Sequence, residues 1–282
     1  DDALVRKLLE LPQENLLYFL EKNAPKLAPW QREILRIVRL MAQYFHPQRL
    51  TKVMNEGTAT FVHHTIMNRL HEQGRITDGS YLEFLASHTN VVAQPGFDSR
   101  YYGGINPYAL GFAMMKDIER ACVAPDDEDR RWLPDIAGCG DPMGALREIW
   151  ANFRDESFVL QYLSPKVMRE MRLFNLVDDP ADPTLLVGAI HDERGYARLR
   201  TALARSYDLA YNEPQIEVVA VDLAGDRRLV LHHKVTDGAL LAEAEARVVL
   251  RHLASLWGYE VRLQEVDADG RVLKDHFAGV SS

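Results

Sequence analysis

The chain has 282 residues, of which 47% are hydrophobic and 26% charged, with a formal net charge of -8. That balance belongs to a packed globular protein and excludes a disordered one, and the acidic surplus argues against a nucleic-acid-binding surface, which needs clustered Lys and Arg. No apolar run approaches the roughly 18 to 20 residues that cross a bilayer, so no membrane span is expected and the protein reads as soluble.

Apolar residues recur at helical spacing from the start, first at Leu4, Leu8 and Leu9. Pro12 suits the first turn of a helix through Leu16, Leu17, Phe19 and Leu20, and Pro25 and Pro29 punctuate the approach to a third through Ile34, Leu35, Ile37, Val38 and Met41. After Pro47, the segment from about Arg49 to Glu72 reads as a long, central and substantially buried helix that stops at Gly74. Thr77 and Asp78 suit the cap of the next, which carries Tyr81, Leu82, Phe84 and Leu85. The stretch QPGFDSRYYGGINP, 94–107, breaks the pattern as a loop, and a helix resumes through Leu110, Phe112, Met115 and Ile118. Short helices are expected at 143–153 and 164–170, and the acidic run Asp126 to Asp129 reads as a solvated turn or a helix start.

Beyond about residue 171 the period changes. Strand-like runs fall at Arg172 to Val177, Thr184 to Ile190, Ile216 to Leu223, Arg228 to His233 and Tyr259 to Val266, with helices at Arg194 to Ser206 and Ala239 to Leu256. Asp222 to Asp226 reads as a hairpin turn. The expected fold class is therefore α+β: a mostly helical domain over 1–170 and a smaller α+β domain with mixed or antiparallel strands over 171–282. Cys122 and Cys139 fit neither a CxxC zinc pair nor a disulfide framework, so two reduced thiols are expected. The chain opens Asp1-Asp2-Ala3 without Met, which suggests that an upstream part has been removed.

The segment TKVMNEGTATFVHH puts Glu56, Thr60, His63 and His64 on one side of an otherwise apolar helix. A carboxylate and an imidazole two turns apart can share a metal, or each can hold the other's protonation state, so Glu56 is a candidate base or ligand and His63 a candidate ligand. Two ligands do not complete a zinc site, and the order differs from His-Glu-x-x-His. A hydrogen-bonded pair holding two helices in register is the competing reading. Gly57, costly in mid-helix, points to a close backbone or ligand approach. A second group of candidates, for substrate binding, comprises His88 and Asn90 with Arg100, Tyr101, Tyr102, Asn106 and Tyr108 on the aromatic loop, because ordered loops on a rigid scaffold carry binding groups. Asp155 and Glu156 suit helix-end charges, and adjacent His232 and His233 in a strand cannot face one ligand.

The segments TKVMNEGTATFVHHTIMNRLHEQG, LEFLASHTNVV, YYGGINPYALGFAMMKDIERAC, NFRDESFVLQYLSPKVMREMRLF, AIHDERGYARLR and LRHLASLWGYEV occur in this order and span nearly the whole chain. Together they resemble the SpoVR family, stage V sporulation protein R, of which the chain looks like the C-terminal larger part. The resemblance implies a bacterial cytoplasmic protein linked to spore cortex formation, or to stationary-phase stress in bacteria that form no spores. It further implies relatives with a longer, His-rich N-terminal part and a partnership with a PrkA-type serine kinase and a von Willebrand-like protein encoded nearby. The family pattern M-N-E-G-W-A-x-[FY]-W-H carries over onto Met54, Asn55, Glu56, Gly57, Ala59, Phe61 and His63, with Thr58 and Val62 replacing the family's Trp residues.

Two functions compete on these grounds. One is a metal-dependent, hydrolase-like enzyme acting on cell-wall-related material, with Glu56 and His63 around a divalent metal completed from elsewhere. The other is a non-catalytic regulatory or scaffold protein working with the kinase system.

Overall fold

In a computed structural model of the chain, the described residues are 7–174, 176–177, 186–187 and 192–280. They form two compact units, one of Asp1–Pro47 with Leu209–Ser282 and one of Gln48–Asp208. The first expected helix lies largely outside the described residues, as does most of the run from Thr184 to Ile190.

Helix α1 (Leu16–Asn23) starts where the Asn15 side chain accepts a hydrogen bond from the Tyr18 N–H, and it buries Phe19 and Leu20. Helix α2 (Pro29–Arg49) runs on through Pro47, which lies in its last turn.

The second unit begins with α3 (Lys52–Glu72). Its first half buries Val53, Met54, Gly57, Thr60 and Phe61, while Ile66 in its second half is 50% exposed, so the helix is central only as far as its middle. Then come α4 (Asp78–Val91), α5 (Pro107–Val123), α6 (Asp127–Trp132), α7 (Pro142–Asn152), α8 (Asp155–Tyr162) and α9 (Pro165–Glu170). Thr77 caps α4, Asn106 caps α5 and Asp141 caps α7. The acidic run is a helix start: Asp126 and Asp129 form a capping box on α6, and buried Asp129 is gripped by Arg120 and Lys166 at 2.6 and 2.9 Å. Two short strands, β1 (Leu176–Val177) and β2 (Leu186–Val187), pair antiparallel. Helix α10 (Glu193–Tyr207) packs against α8, which keeps it in this unit even though it follows residue 170. Leu110, Met114, Met115, Ile118, Leu146, Ile149, Phe158 and Leu163 form the centre of a core that Leu199 and Ala204 of α10 complete.

The chain then returns to the first unit through α11 (Leu209–Asn212). Strands β3 (Gln215–Val221) and β4 (Leu229–Lys234) are antiparallel and joined at the expected turn, where Asp222 accepts from the Gly225 N–H at 2.8 Å. Helix α12 (Glu243–Trp257) connects β4 to its parallel neighbour β5 (Val261–Val266), and β6 (Val272–Ala278), which sequence patterning did not separate, closes the sheet antiparallel to β5. Alternate residues Leu229, Leu231 and His233 of β4 point inward, as the two-residue period requires. Phe19 and Leu20 of α1 and Leu250, Ala254 and Trp257 of α12 join Val218, Leu231 and Leu263 in the core of this unit. The expected class, α+β with a mixed sheet, is what the chain adopts.

Candidate functional site

Helices α3 and α5 cross at a pair of glycines. A Cβ built on Gly57 would lie 2.5 Å from the Gly111 Cα, and one built on Gly111 would meet the Val53 carbonyl oxygen and lie 2.7 Å from the Gly57 Cα. The helix backbones therefore touch, which is the close approach that Gly57 signalled in sequence. The N-terminus of α3 is fixed by another element. Thr51 makes no side-chain cap, and the Val53 and Met54 N–H groups instead donate to the Asp155 carboxylate at 2.8 and 2.9 Å, while the Asp155 N–H donates to the Leu50 carbonyl at 2.8 Å. Asp155 is 1% exposed, and that burial holds its carboxyl above the usual range against the opposing pull of the helix N–H groups.

The crossing brings Tyr108, at the start of α5, onto Glu56. The Tyr108 hydroxyl faces the half-buried Glu56 carboxylate, whose hydrogen-bonding pull, followed by its charge, raises the phenol's pKa. Thr60 is not a further reactive group, because its hydroxyl donates to the Glu56 backbone carbonyl at 2.6 Å.

One to two turns further along α3 is an imidazole cluster. His63 is exposed, its ring edge-on to Phe84 with centroids 5.0 Å apart. His64 and His88 lie 4.9 Å apart, and both rings pack on Phe112, at 5.2 and 4.8 Å. Burial lowers the pKa of each, followed by the neighbouring imidazole, His88 for His64 and His63 for His88, so both rings are neutral near pH 7. The Asn68 side-chain oxygen accepts from the Tyr81 hydroxyl at 2.6 Å, which turns the Asn68 amide nitrogen onto the His64 ring, 3.2 Å from Nδ1 and 3.3 Å from Nε2. The family pattern favoured His63, whereas the fold makes His64 the centre of the cluster. Its pairing with Asn68 four residues on is a local signal that could have found it.

The loop candidates separate. Asn106 is a joint: its side-chain oxygen accepts from the Tyr108 N–H at 3.0 Å, and its amide donates to the Val91 and Ala93 carbonyls at 2.9 and 3.0 Å. Arg100 lies over the Tyr101 ring at 4.6 Å, both side chains exposed, and Asn90 is exposed near the end of α4. Tyr102, edge-on to Phe97 at 5.3 Å, helps to wall a cavity of about 830 Å³. Ile105, Phe174 and Leu203 are among its apolar lining residues, and Asp98, Glu170 and Arg172 among its charged ones.

A buried ionisable group that sequence reasoning did not single out lies in the other unit. Glu265, 0% exposed, accepts from the Leu241 N–H at 2.8 Å and meets His233 Nδ1 and His276 Nε2 at 3.1 and 2.7 Å. Those partners hold its carboxyl below the usual range although burial, the largest influence, opposes them. The three residues sit on adjacent strands far apart in sequence, so no local pattern marks them.

Among the described residues, no three His, Cys, Asp or Glu side chains are placed to hold a metal ion. Glu56 lies against Tyr108, while His63 packs on Phe84. Among the described residues, no helix is long and apolar enough to cross a membrane.

These features define a class: an α+β protein whose helical unit holds a tyrosine–carboxylate pair, neutral imidazoles and a loop-walled cavity. The chain belongs to the SpoVR family, since the family described as SpoVR like protein matches residues 1–212 and the SpoVR-like C-terminal domain matches residues 214–268. It is 51% identical over 270 residues to the protein named "Uncharacterized protein YcgB" of Escherichia coli (strain K12), covering 96% of this chain and 52% of the relative. The chain thus spans about half the length of the curated relative it matches. No solved structure matches it.

Proposed function

We propose that the chain is a ligand-binding, regulatory part of a SpoVR-type protein, without catalysis of its own. It serves spore cortex formation in spore formers or a stationary-phase stress response elsewhere, in the cytoplasm and alongside a PrkA-type serine kinase and a von Willebrand-like protein. The observation that carries this reading is the cavity of about 830 Å³. Its size falls within the roughly 300 to 1,000 Å³ of small-molecule sites, and its apolar walls with few charged groups suit an amphiphilic organic ligand.

The direct test uses anilinonaphthalenesulfonate, an aromatic anion, as the probe. The folded protein is expected to bind it saturably with one-to-one stoichiometry, and Leu203→Trp, which thrusts a bulky ring into the cavity, to reduce that binding at least tenfold while leaving the far-ultraviolet circular dichroism unchanged. Unsaturable binding, or binding indifferent to Leu203→Trp, rejects the cavity as a site. Co-purification with the kinase tests the partnership, and enrichment no greater than that of an unrelated bait counts against it.

A second reading, the metal-dependent hydrolase-like enzyme acting on cell-wall-related material, draws support from the neutral imidazoles of His64 and His88 gathered near His63. Elemental analysis of the purified protein tests it. Metal that is sub-stoichiometric and unchanged by Glu56→Gln or His63→Ala rejects it.

A further inference from the structure

The two cysteines, distant in sequence, meet in the fold. Cys122 is buried in the last turn of α5, and Cys139 is exposed in the loop between α6 and α7. Backbone hydrogen bonds bracket Cys139 on both sides: the Gly138 N–H donates to the Ala121 carbonyl and the Gly140 N–H to the Cys122 carbonyl, each at 2.9 Å. Gly138 and Gly140 have φ of +78° and +74°, a left-handed backbone that glycine adopts without strain, so the loop can press onto the helix end at both points. These two clamps set Cys139 beside Cys122 at the helix end, and Cys139 Sγ lies 3.8 Å from the Asp141 carbonyl oxygen.

We propose that Cys122 and Cys139 are a redox-active dithiol that hydrogen peroxide, or a small disulfide such as oxidised glutathione, converts to an intramolecular disulfide. With peroxide, the exposed Cys139 sulfur attacks one peroxide oxygen and the O–O bond breaks. Cys139 becomes a sulfenic acid and one water leaves. The Cys122 sulfur then attacks the Cys139 sulfur, the S–O bond breaks, and a second water leaves carrying the Cys122 proton. Two thiols and one peroxide thus give one disulfide and two waters, with the protein oxidised by two electrons. With oxidised glutathione, Cys139 attacks one sulfur, the glutathione S–S bond breaks and one glutathione leaves as its thiol; Cys122 then attacks the Cys139 sulfur of the mixed disulfide and the second glutathione leaves as its thiol.

Exposure sets this order, since the oxidant reaches only Cys139 directly. Burial, and next the neighbouring Cys139 side chain, push the Cys122 thiol up to about 12, so it remains protonated near neutrality and is inert to outside oxidants. Closure by Cys122 is then the slow step and quickens as pH rises.

The test treats the native chain with one equivalent of hydrogen peroxide and, separately, with oxidised glutathione, then counts thiols after unfolding and maps peptides without reduction. The expected result is a fall from two thiols to none, a cross-linked peptide pair containing Cys122 and Cys139 that is lighter by two hydrogens, and full reversal by dithiothreitol. In Cys122→Ala the expected product stops at a Cys139 sulfenic acid trapped by dimedone, or at the glutathione adduct, and in Cys139→Ser the remaining thiol stays reduced. The wild-type cross-link needs no variant to fold. Over-oxidised or glutathionylated Cys139 beside a reduced Cys122 in the wild type, or a cross-link formed only after unfolding, overturns the proposal. This outcome is independent of the cavity's occupancy.

Discussion

The glycine pair at the α3–α5 crossing gives a prediction with an unusual sign. Alanine is favoured over glycine within a helix by about 1 kcal/mol, so Gly111→Ala would be stabilising on helix propensity alone. At this position the new Cβ would press on the Val53 carbonyl oxygen and stand 2.7 Å from the Gly57 Cα, and both obstacles are backbone. Only separation of the helices, by on the order of 1 Å, relieves the overlap, and overpacking of that kind costs about 1 to 3 kcal/mol or more. The separation also loosens Phe61, Leu110 and Met114, which meet in the core of this unit. The expected net loss is about 2 kcal/mol, or a fall of about 1 M in the urea midpoint for a slope of ~2 kcal/mol per molar. Gly79→Ala, in α4, is the control: its Cβ would find only the Thr77 Oγ1, at 3.9 Å, so that variant should hold or gain stability. Urea unfolding followed by far-ultraviolet circular dichroism compares the two. A Gly111→Ala midpoint at or above that of Gly79→Ala would falsify the contact argument.

Asp155→Ala should cost about 2 to 4 kcal/mol, because it orphans the buried Val53 and Met54 N–H groups, whereas Asp155→Asn, which keeps an acceptor, should cost less. Equal losses on thermal melting would show that the carboxylate does not anchor α3. His64 and His88 have lowered pKa values, so below the ordinary imidazole pKa of about 6.5 the unfolded chain binds more protons than the folded one. Stability of the helical unit should therefore fall as pH drops from 7 towards 5. His64→Gln and His88→Gln should each flatten the curve of melting temperature against pH, and unchanged slopes in both would refute the assignment. Glu265→Gln should cost about 3 kcal/mol at pH 7, since the neutral amide cannot serve His233, His276 and the Leu241 N–H equally. Glu265 has a lowered pKa, so its contribution is present above the ordinary carboxylate pKa and is lost as pH falls through its folded value. A variant whose acid denaturation matches the wild type would count against that account.

Local rules alone settled much about this protein. Helix and strand periods place most elements within a few residues, the turn at Asp222 to Asp226 is fixed by the Asp222 side chain, and ordered motifs along the chain carry the family. Gly57 in mid-helix announced a close approach because nothing else justifies its cost. What sequence could not decide were pairings between residues far apart in the chain. Glu56 and His63 share a helix, yet Tyr108 claims the first and Phe84 the second, because α4 and α5 supply different neighbours to successive turns of α3. Asp155 caps a helix that begins about a hundred residues earlier. Glu265 collects two imidazoles from flanking strands, and Cys139 reaches Cys122 through glycine turns that only the folded loop makes. Each of these contacts depends on helix crossing, strand order or loop closure, and those follow from burying the whole core at once rather than from any one segment's spacing.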